Sequence, residues 1–85
     1  MNNRQRKTLE ALFVRPERGD IRWGDVESLM VALGFRKLEG DGSRVRFVSQ
    51  DGLILRVHRP HPKPEIDKGA VKSIRRFLQM MGIKP

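Results

Sequence analysis

The stretch GDGSRVRFVSQDGLILRVH, residues 40–58, contains two turn signals and two runs in which apolar and polar residues alternate. Glycine and aspartate at 40–42 and again at 51–52 are typical of turns. Alternation with a period of two indicates strands that have one buried face. The stretch therefore predicts a β-hairpin whose buried face carries Val45, Phe47, Leu53, Leu55 and Val57.

The length of the hairpin loop decides which residues face each other. A two-residue loop at 51–52 would pair Phe47 with Arg56 and mix the apolar core with charge. A three-residue loop at 50–52 pairs Phe47 with Leu55 and Val45 with Val57, and it puts a glycine in the left-handed last position, where such loops prefer it. Directly opposed residues share a face, so the other face receives the pairs Val48–Ile54, Arg46–Arg56 and Arg44–His58.

Two arginines that face each other destabilise a bare sheet. Long side chains that splay into water reduce this cost, and an anion that lies across both guanidinium groups removes it. We expect helices to cover only the apolar face of the hairpin. The other face then forms a basic strip that consists of Arg44, Arg46, Arg56 and His58.

Three segments outside the hairpin have apolar residues at helical spacing. Residues 4–13 and 23–34 predict two helices, and a third begins after Asp67 as N-cap and ends near Gly82. The basic residues of the last helix lie mostly off its apolar stripe; they are Lys68, Lys72, Arg75 and Arg76. Residues 35–39 predict a further strand. This order defines an α+β fold, a three-stranded antiparallel sheet with helices packed on one face.

The composition narrows the classes of protein. The chain has 85 residues, a net charge of +8 and no cysteine, which predicts one domain with a small core and no disulfide or zinc–thiolate site. It lacks an apolar run of the roughly 20 residues that span a membrane, and its N-terminus does not resemble a signal peptide. We therefore expect a cytoplasmic protein with no membrane partner, and the charge favours a polyanion such as nucleic acid.

The sequence has no Walker loop, dinucleotide glycine motif or zinc-ligand spacing, so no cofactor and no metal are expected. Its two histidines, His58 and His61, are the only side chains that ordinarily titrate near neutrality. Histidine beside arginines suits metal-independent RNA cleavage. A base takes the 2′-hydroxyl proton, an acid protonates the leaving 5′ oxygen, and cations stabilise the phosphoryl charge.

From about Trp23 to Gly82 the chain resembles the HicA toxins of bacterial and archaeal HicA–HicB toxin–antitoxin pairs. The shared landmarks are, in order, LGF at 33–35, GS at 42–43, DG at 51–52, PHP at 60–62 and KGAVKSIRRFLQMMGI at 68–83. The resemblance implies a double-stranded-RNA-binding-domain-like fold of order α-α-β-β-β-α. It also implies an mRNA interferase that inhibits translation and is neutralised by a HicB-type antitoxin.

The resemblance also divides the chain and suggests its site. Residues 1–22 are expected to form an N-terminal helical extension of a HicA-like RNA-binding and ribonuclease domain at 23–85. The family's catalytic histidine normally follows the GS pair, where this sequence has Arg44. We therefore assign proton transfer to His58, which faces Arg44, with His61 as second candidate because it matches a later histidine of the family. The expected RNA-phosphate ligands are Ser43, Arg44, Arg46, Arg56, Lys68 and Lys72.

Three functions remain open from the sequence. The first is a toxin that cleaves mRNA as a metal-independent endoribonuclease. The second is a catalytically inactive module of the same fold that binds RNA or only its antitoxin, since Arg44 replaces the family histidine. The third is an interaction domain whose basic face docks an acidic protein.

Overall fold

A computed structural model describes residues 1–85 as three helices and one three-stranded antiparallel sheet. In chain order the elements are α1 (Asn3–Leu12), α2 (Trp23–Ala32), β1 (Arg36–Glu39), β2 (Arg44–Val48), β3 (Ile54–His58) and α3 (Lys68–Met80). The strand order is β1-β2-β3. The predicted α+β fold and the order of its elements are confirmed. No helix reaches the length and apolar character that crossing a lipid bilayer requires.

The β2–β3 hairpin has the predicted register. All five predicted pairs are formed, from Arg44 opposite His58 to Val48 opposite Ile54. Residues 49–53 join the two strands, and within this connection Gly52 has a φ of 85°, in the left-handed region that glycine adopts without strain. Turn chemistry and alternation together therefore fix which residues share each face.

The apolar face of the sheet packs on the helices. Val45 and Phe47 of β2 are fully buried, and the rings of Phe47 and Trp23 lie 6.0 Å apart between centroids. At the other end of the core, the rings of Phe35 and Phe77 lie 5.6 Å apart. Helices thus cover one face of the sheet and leave the opposite face to solvent.

Leu53 was predicted to lie on the buried face of the hairpin, and the structure corrects this prediction. Its side chain is 43% exposed, because β3 begins only at Ile54 and Leu53 still belongs to the turn. The backbone N–H of Leu53 donates to the hydroxyl of Ser49 at 3.0 Å, and Ser49 is the residue that is buried there. The alternation therefore holds along the strand but not into its turn.

Local signals set the ends of the helices. Asp67 caps α3, since its carboxylate accepts a hydrogen bond from the backbone N–H of Ala70 at 2.7 Å. Asn2 and Gln5 form a reciprocal capping box at the start of α1. α1 buries Leu9 and Leu12 in the same core as the other elements. The segment before α2 therefore contributes to the core that supports the sheet.

The structure also corrects the prediction for the basic residues of α3, because Arg75 lies on the buried side of the helix. Its side chain is buried, at 4% exposure, and its Nη2 donates to Oε2 of Glu17 at 3.2 Å. Nζ of Lys72 lies 3.9 Å from Oε1 of the same carboxylate. These contacts join α3 to the loop between α1 and α2, and a stripe drawn from apolar residues alone does not include them.

Candidate nucleic-acid interface

The open face of the sheet carries a cluster of basic side chains. Arg44 and Arg46 project from β2, and Arg56 and His58 project from β3, and all four are exposed. They alternate with the buried residues of the same strands, so they lie on the face opposite the core. The structure thus brings together the four residues of the predicted basic strip.

A groove of about 490 Å³ lies at the end of this face that adjoins the β1–β2 turn. That volume is within the range of small-molecule sites in proteins. The groove combines three guanidinium groups, one imidazole and one carboxylate. Its lining residues are Gly40, Asp41, Arg44, Val45, Arg46, Arg56, Val57 and His58.

Ser43 contacts the histidine of this groove. Its Oγ lies 3.1 Å from Nδ1 of His58, and its carbonyl accepts a hydrogen bond from the backbone N–H of Arg59 at 2.7 Å. A hydroxyl both donates and accepts, so Ser43 fits either neutral tautomer of the imidazole. Nε2 of His58 makes no hydrogen bond with the protein.

The arginines of the groove have no acidic partner within the chain. None of Arg44, Arg46 and Arg56 belongs to the ion pairs of the structure. Like charges that face each other across a sheet repel, and here no carboxylate relieves the repulsion between Arg46 and Arg56. The groove therefore offers its positive charge to an anion from outside.

Glu39, at the same end of the sheet, does not neutralise the groove. Its carboxylate pairs with the guanidinium of Arg59. The hydrogen bond from Arg59 and the charge of Arg59, with a further contribution from Lys37, lower the pKa of Glu39. The carboxylate is thus held in its ionised form by Arg59, and the arginines of the open face stay unpaired.

Four of the predicted site residues are not among those that line the groove; Ser43 reaches it through His58, and the other three lie apart from it. His61 is exposed in the loop between β3 and α3 and makes no hydrogen bond. Lys68 begins α3 and lies against the loop between α1 and α2, beside Gly19. Lys72 contacts Glu17. Both lysines belong to the helical layer, so they are not part of the cluster on the open face.

Two residues near the cluster were not selected from the sequence. Asp41 lines the groove, but its position between glycines indicates only a turn. Arg36 lies on β1 directly opposite Val48, which places it on the open face. The observed register closes a turn at 41–43, one residue later than the predicted turn at 40–42. Either turn puts Arg36 on the same face as Arg46, so extending the pairing across the turn would have found Arg36.

Fold and surface together define a class, a small α+β domain that presents an open, basic sheet face with one histidine in a groove. A family model described as HicA toxin of bacterial toxin-antitoxin matches residues 23–83. The chain therefore belongs to the HicA toxin family and is a toxin of a toxin–antitoxin pair. No curated protein and no solved structure matches the chain. The family match begins at Trp23, so α1 lies outside it.

Proposed function

We propose that this toxin is an endoribonuclease that cleaves mRNA without a metal ion and so inhibits translation. The observation that carries the proposal is the 3.1 Å contact between Ser43 Oγ and His58 Nδ1, inside a groove of unpaired arginines. A histidine with one nitrogen anchored and the other free is equipped for proton transfer. The proposal includes neutralisation by a HicB-type antitoxin, the partner that membership of the family suggests.

The reaction needs one base, one acid and positive charge. Nε2 of His58 accepts the proton of a ribose 2′-hydroxyl, and the 2′ oxygen attacks the adjacent phosphorus. The bond from phosphorus to the 5′ oxygen breaks, and that oxygen takes a proton from water, which reaches the exposed groove. The products are a 2′,3′-cyclic phosphate and a 5′-hydroxyl, and His58 then returns its proton to solvent.

The arginines supply the charge. A guanidinium group donates two parallel hydrogen bonds and matches two phosphate oxygens. Arg46 and Arg56 face each other across the hairpin, so one phosphate between them is held from both sides. Charge that develops on the phosphoryl oxygens in the transition state is stabilised there without reorganisation of the protein.

The paired register explains how Arg44 can stand where the family has histidine. Arg44 and His58 are direct partners, and the Cβ atoms of such partners lie about 4.5–5.5 Å apart on the same face. An imidazole that changes from position 44 to position 58 stays at the same end of the groove. The imidazole and the guanidinium group therefore still lie beside each other, but here the guanidinium group is on β2 and the imidazole is on β3.

The same replacement favours a second candidate function. If His58 does not transfer protons, the arginine at the family's histidine position makes the groove a site that binds RNA without cutting it. In that case the chain binds RNA, or only its antitoxin, as an inactive module. Both functions use the basic face of the sheet, but only the first includes cleavage of the RNA.

The test measures cleavage of one mRNA by purified protein, with and without chelator, beside growth arrest when the protein is expressed. We expect His58→Ala to slow cleavage by about 10²–10⁴-fold and Ser43→Ala to slow it by a smaller factor, since water can replace the hydroxyl. His61→Ala separates the two histidines, and we expect it to cleave as the unchanged protein does. Chelator should have no effect.

Each other outcome has a defined meaning. Full cleavage by His58→Ala, or loss of cleavage in His61→Ala alone, would contradict the assignment of His58. Binding of RNA by the unchanged protein with no cleavage would favour the inactive module. Circular dichroism of each variant confirms that the fold is retained.

A further inference from the structure

The basic face extends beyond the groove to the opposite end of the sheet. Arg36 on β1 faces Val48 on β2, which in turn faces Ile54 on β3. These three residues form one row across the sheet, and we call it the distal row. It lies four residues along the strands from the pair Arg44–His58, which corresponds to roughly 13 Å.

The distal row has no partner inside the protein. Arg36 is exposed and makes no ion pair or side-chain hydrogen bond. Its neighbour Lys37 turns to the other side of β1 and pairs with Glu27 at 2.7 Å. Val48 is partly exposed and Ile54 is 37% exposed, although the core lies on the other face. The row therefore presents one free cation beside two uncovered aliphatic side chains.

We propose that the distal row is a second RNA subsite, in which Arg36 binds a phosphate and Val48 with Ile54 contacts an unpaired base. The proposal rests on the proposed function only in that RNA is the ligand. If the distal row binds in this way, the substrate is single-stranded RNA whose chain continues past the phosphate that is cleaved. Bases of a duplex are paired and stacked inside the helix, whereas bases of a single strand can be laid against apolar surface.

The charges on this face select a polyanion. Every ionisable side chain that the strands present on the open face is basic: Arg36, Arg44, Arg46, Arg56 and His58. Two carboxylates belong to the turns at the ends of these strands, Asp41 at the groove end and Asp51 in the hairpin loop. RNA alternates a phosphate with a flat apolar base, and the distal row offers one contact for each.

The experiment measures binding of a fluorescent ten-nucleotide single-stranded RNA with 2′-O-methyl riboses, which cannot be cleaved. Anisotropy titrations at several salt concentrations compare the unchanged protein with Arg36→Gln and Ile54→Thr. Arg76→Gln is the matched control, because Arg76 is exposed and unpaired on α3. A duplex RNA of the same length and poly-glutamate are the competing ligands.

We expect Arg36→Gln to weaken binding several-fold and to reduce the salt slope by about 0.7, the value for one phosphate contact on a single strand. Arg36→Lys should restore the salt slope. Ile54→Thr should weaken binding to the single strand and leave binding to the duplex unchanged. Arg76→Gln should bind as the unchanged protein does.

Equal effects of Arg36→Gln and Arg76→Gln would overturn the proposal, because Arg36 would then act only through net charge. An equal effect of Ile54→Thr on duplex and single strand would overturn the base contact. Tighter binding of poly-glutamate than of RNA would overturn RNA as the ligand. Since the RNA cannot be cleaved, binding with the expected pattern supports the subsite even if the cleavage assay fails.

Discussion

At the scale of single residues, the placement of Arg46 opposite Arg56 lowers the stability of the sheet but favours the binding of an anion. The two guanidinium groups face each other in the register of the hairpin, and no carboxylate of the chain pairs with either. A sheet selected for stability alone would place opposite charges there, because opposite-charge pairs stabilise and like-charge pairs destabilise by roughly 0.2–1 kcal/mol. The pair is thus expected to cost stability that is recovered when an anion binds.

Replacing Arg56 should separate these two effects. We expect Arg56→Gln to raise the melting temperature by about 1–5 °C, because it removes the like-charge pair. The same variant should bind single-stranded RNA more weakly, with a salt slope reduced by about 0.7. Thermal unfolding and anisotropy titration of the same preparation measure both changes.

Arg15→Gln is the control here, because Arg15 is exposed and unpaired in the loop between α1 and α2, whereas Arg76 has Lys72 one helical turn before it. It should leave both the melting temperature and the salt slope close to those of the unchanged protein. A lower melting temperature for Arg56→Gln would show that the arginine stem stabilises the sheet by packing, and the conflict between stability and binding would not exist.

At the scale of elements, the hairpin depends on the left-handed conformation of its last loop residue. Gly52 has a φ of 85°, and a Cβ added there would meet no other atom within 4 Å. A substitution therefore acts through backbone strain alone. The energetic cost of a residue with a Cβ in this region is about 1–2 kcal/mol.

The substitution of glycine by alanine should therefore change the stability in opposite directions at two positions. Gly52→Ala should destabilise the protein by about 1–2 kcal/mol. Gly24→Ala, in the first turn of α2, also has open space for the Cβ but no positive φ, and it should stabilise the protein by about 0.4–1 kcal/mol. Urea unfolding of both variants measures the signs. Destabilisation by both would mean that packing, not backbone conformation, dominates at these glycines.

The elements show what a sequence can predict and what it cannot. The hairpin register could be predicted because alternation and turn chemistry are local, and both exclude the pairing of Phe47 with Arg56. The burial of Arg75 could not, because it depends on a glutamate that is 58 residues away in the chain. The same holds for the contact of Lys72 with Glu17, which lies 55 positions earlier in the chain. Sequence patterns predict that a charged residue lies on the surface of a helix. Only the packed structure shows whether a loop covers that residue.

At the scale of the whole molecule, the carboxylate of Glu17 joins the segment before the family match to Arg75 and Lys72 of the last helix. Glu17 accepts a hydrogen bond from Arg75 at 3.2 Å, and Nε and Nη1 of Arg75 have no acceptor in the protein. A buried guanidinium that loses its only carboxylate is left with an uncompensated charge, which is strongly destabilising. The loop between α1 and α2 is therefore part of what holds α3 against the sheet.

The pKa of Glu17 gives this link a pH dependence. Desolvation raises the pKa of its carboxyl, but the hydrogen bond and charge of Arg75, together with the charge of Lys72, outweigh desolvation, so that the pKa is lowered overall. A carboxyl with a lowered pKa in the folded state stabilises the fold fully above the unfolded value of about 4.3. This stabilisation is lost as the pH falls through the lowered pKa.

We therefore expect Glu17→Gln to lower the melting temperature by roughly 5–10 °C at pH 7, and this difference should shrink as the pH falls below about 4. Melting curves between pH 2.5 and pH 7 of both proteins measure it, and the other carboxylates cancel because both proteins contain them. Glu39→Gln is the control, since its pair with Arg59 is exposed and exposed pairs contribute little. A difference that persists unchanged at pH 2.5 would mean that Glu17 acts through packing. No difference at pH 7 would mean that Arg75 does not need its carboxylate, and the loop before α2 would then not hold α3 in place.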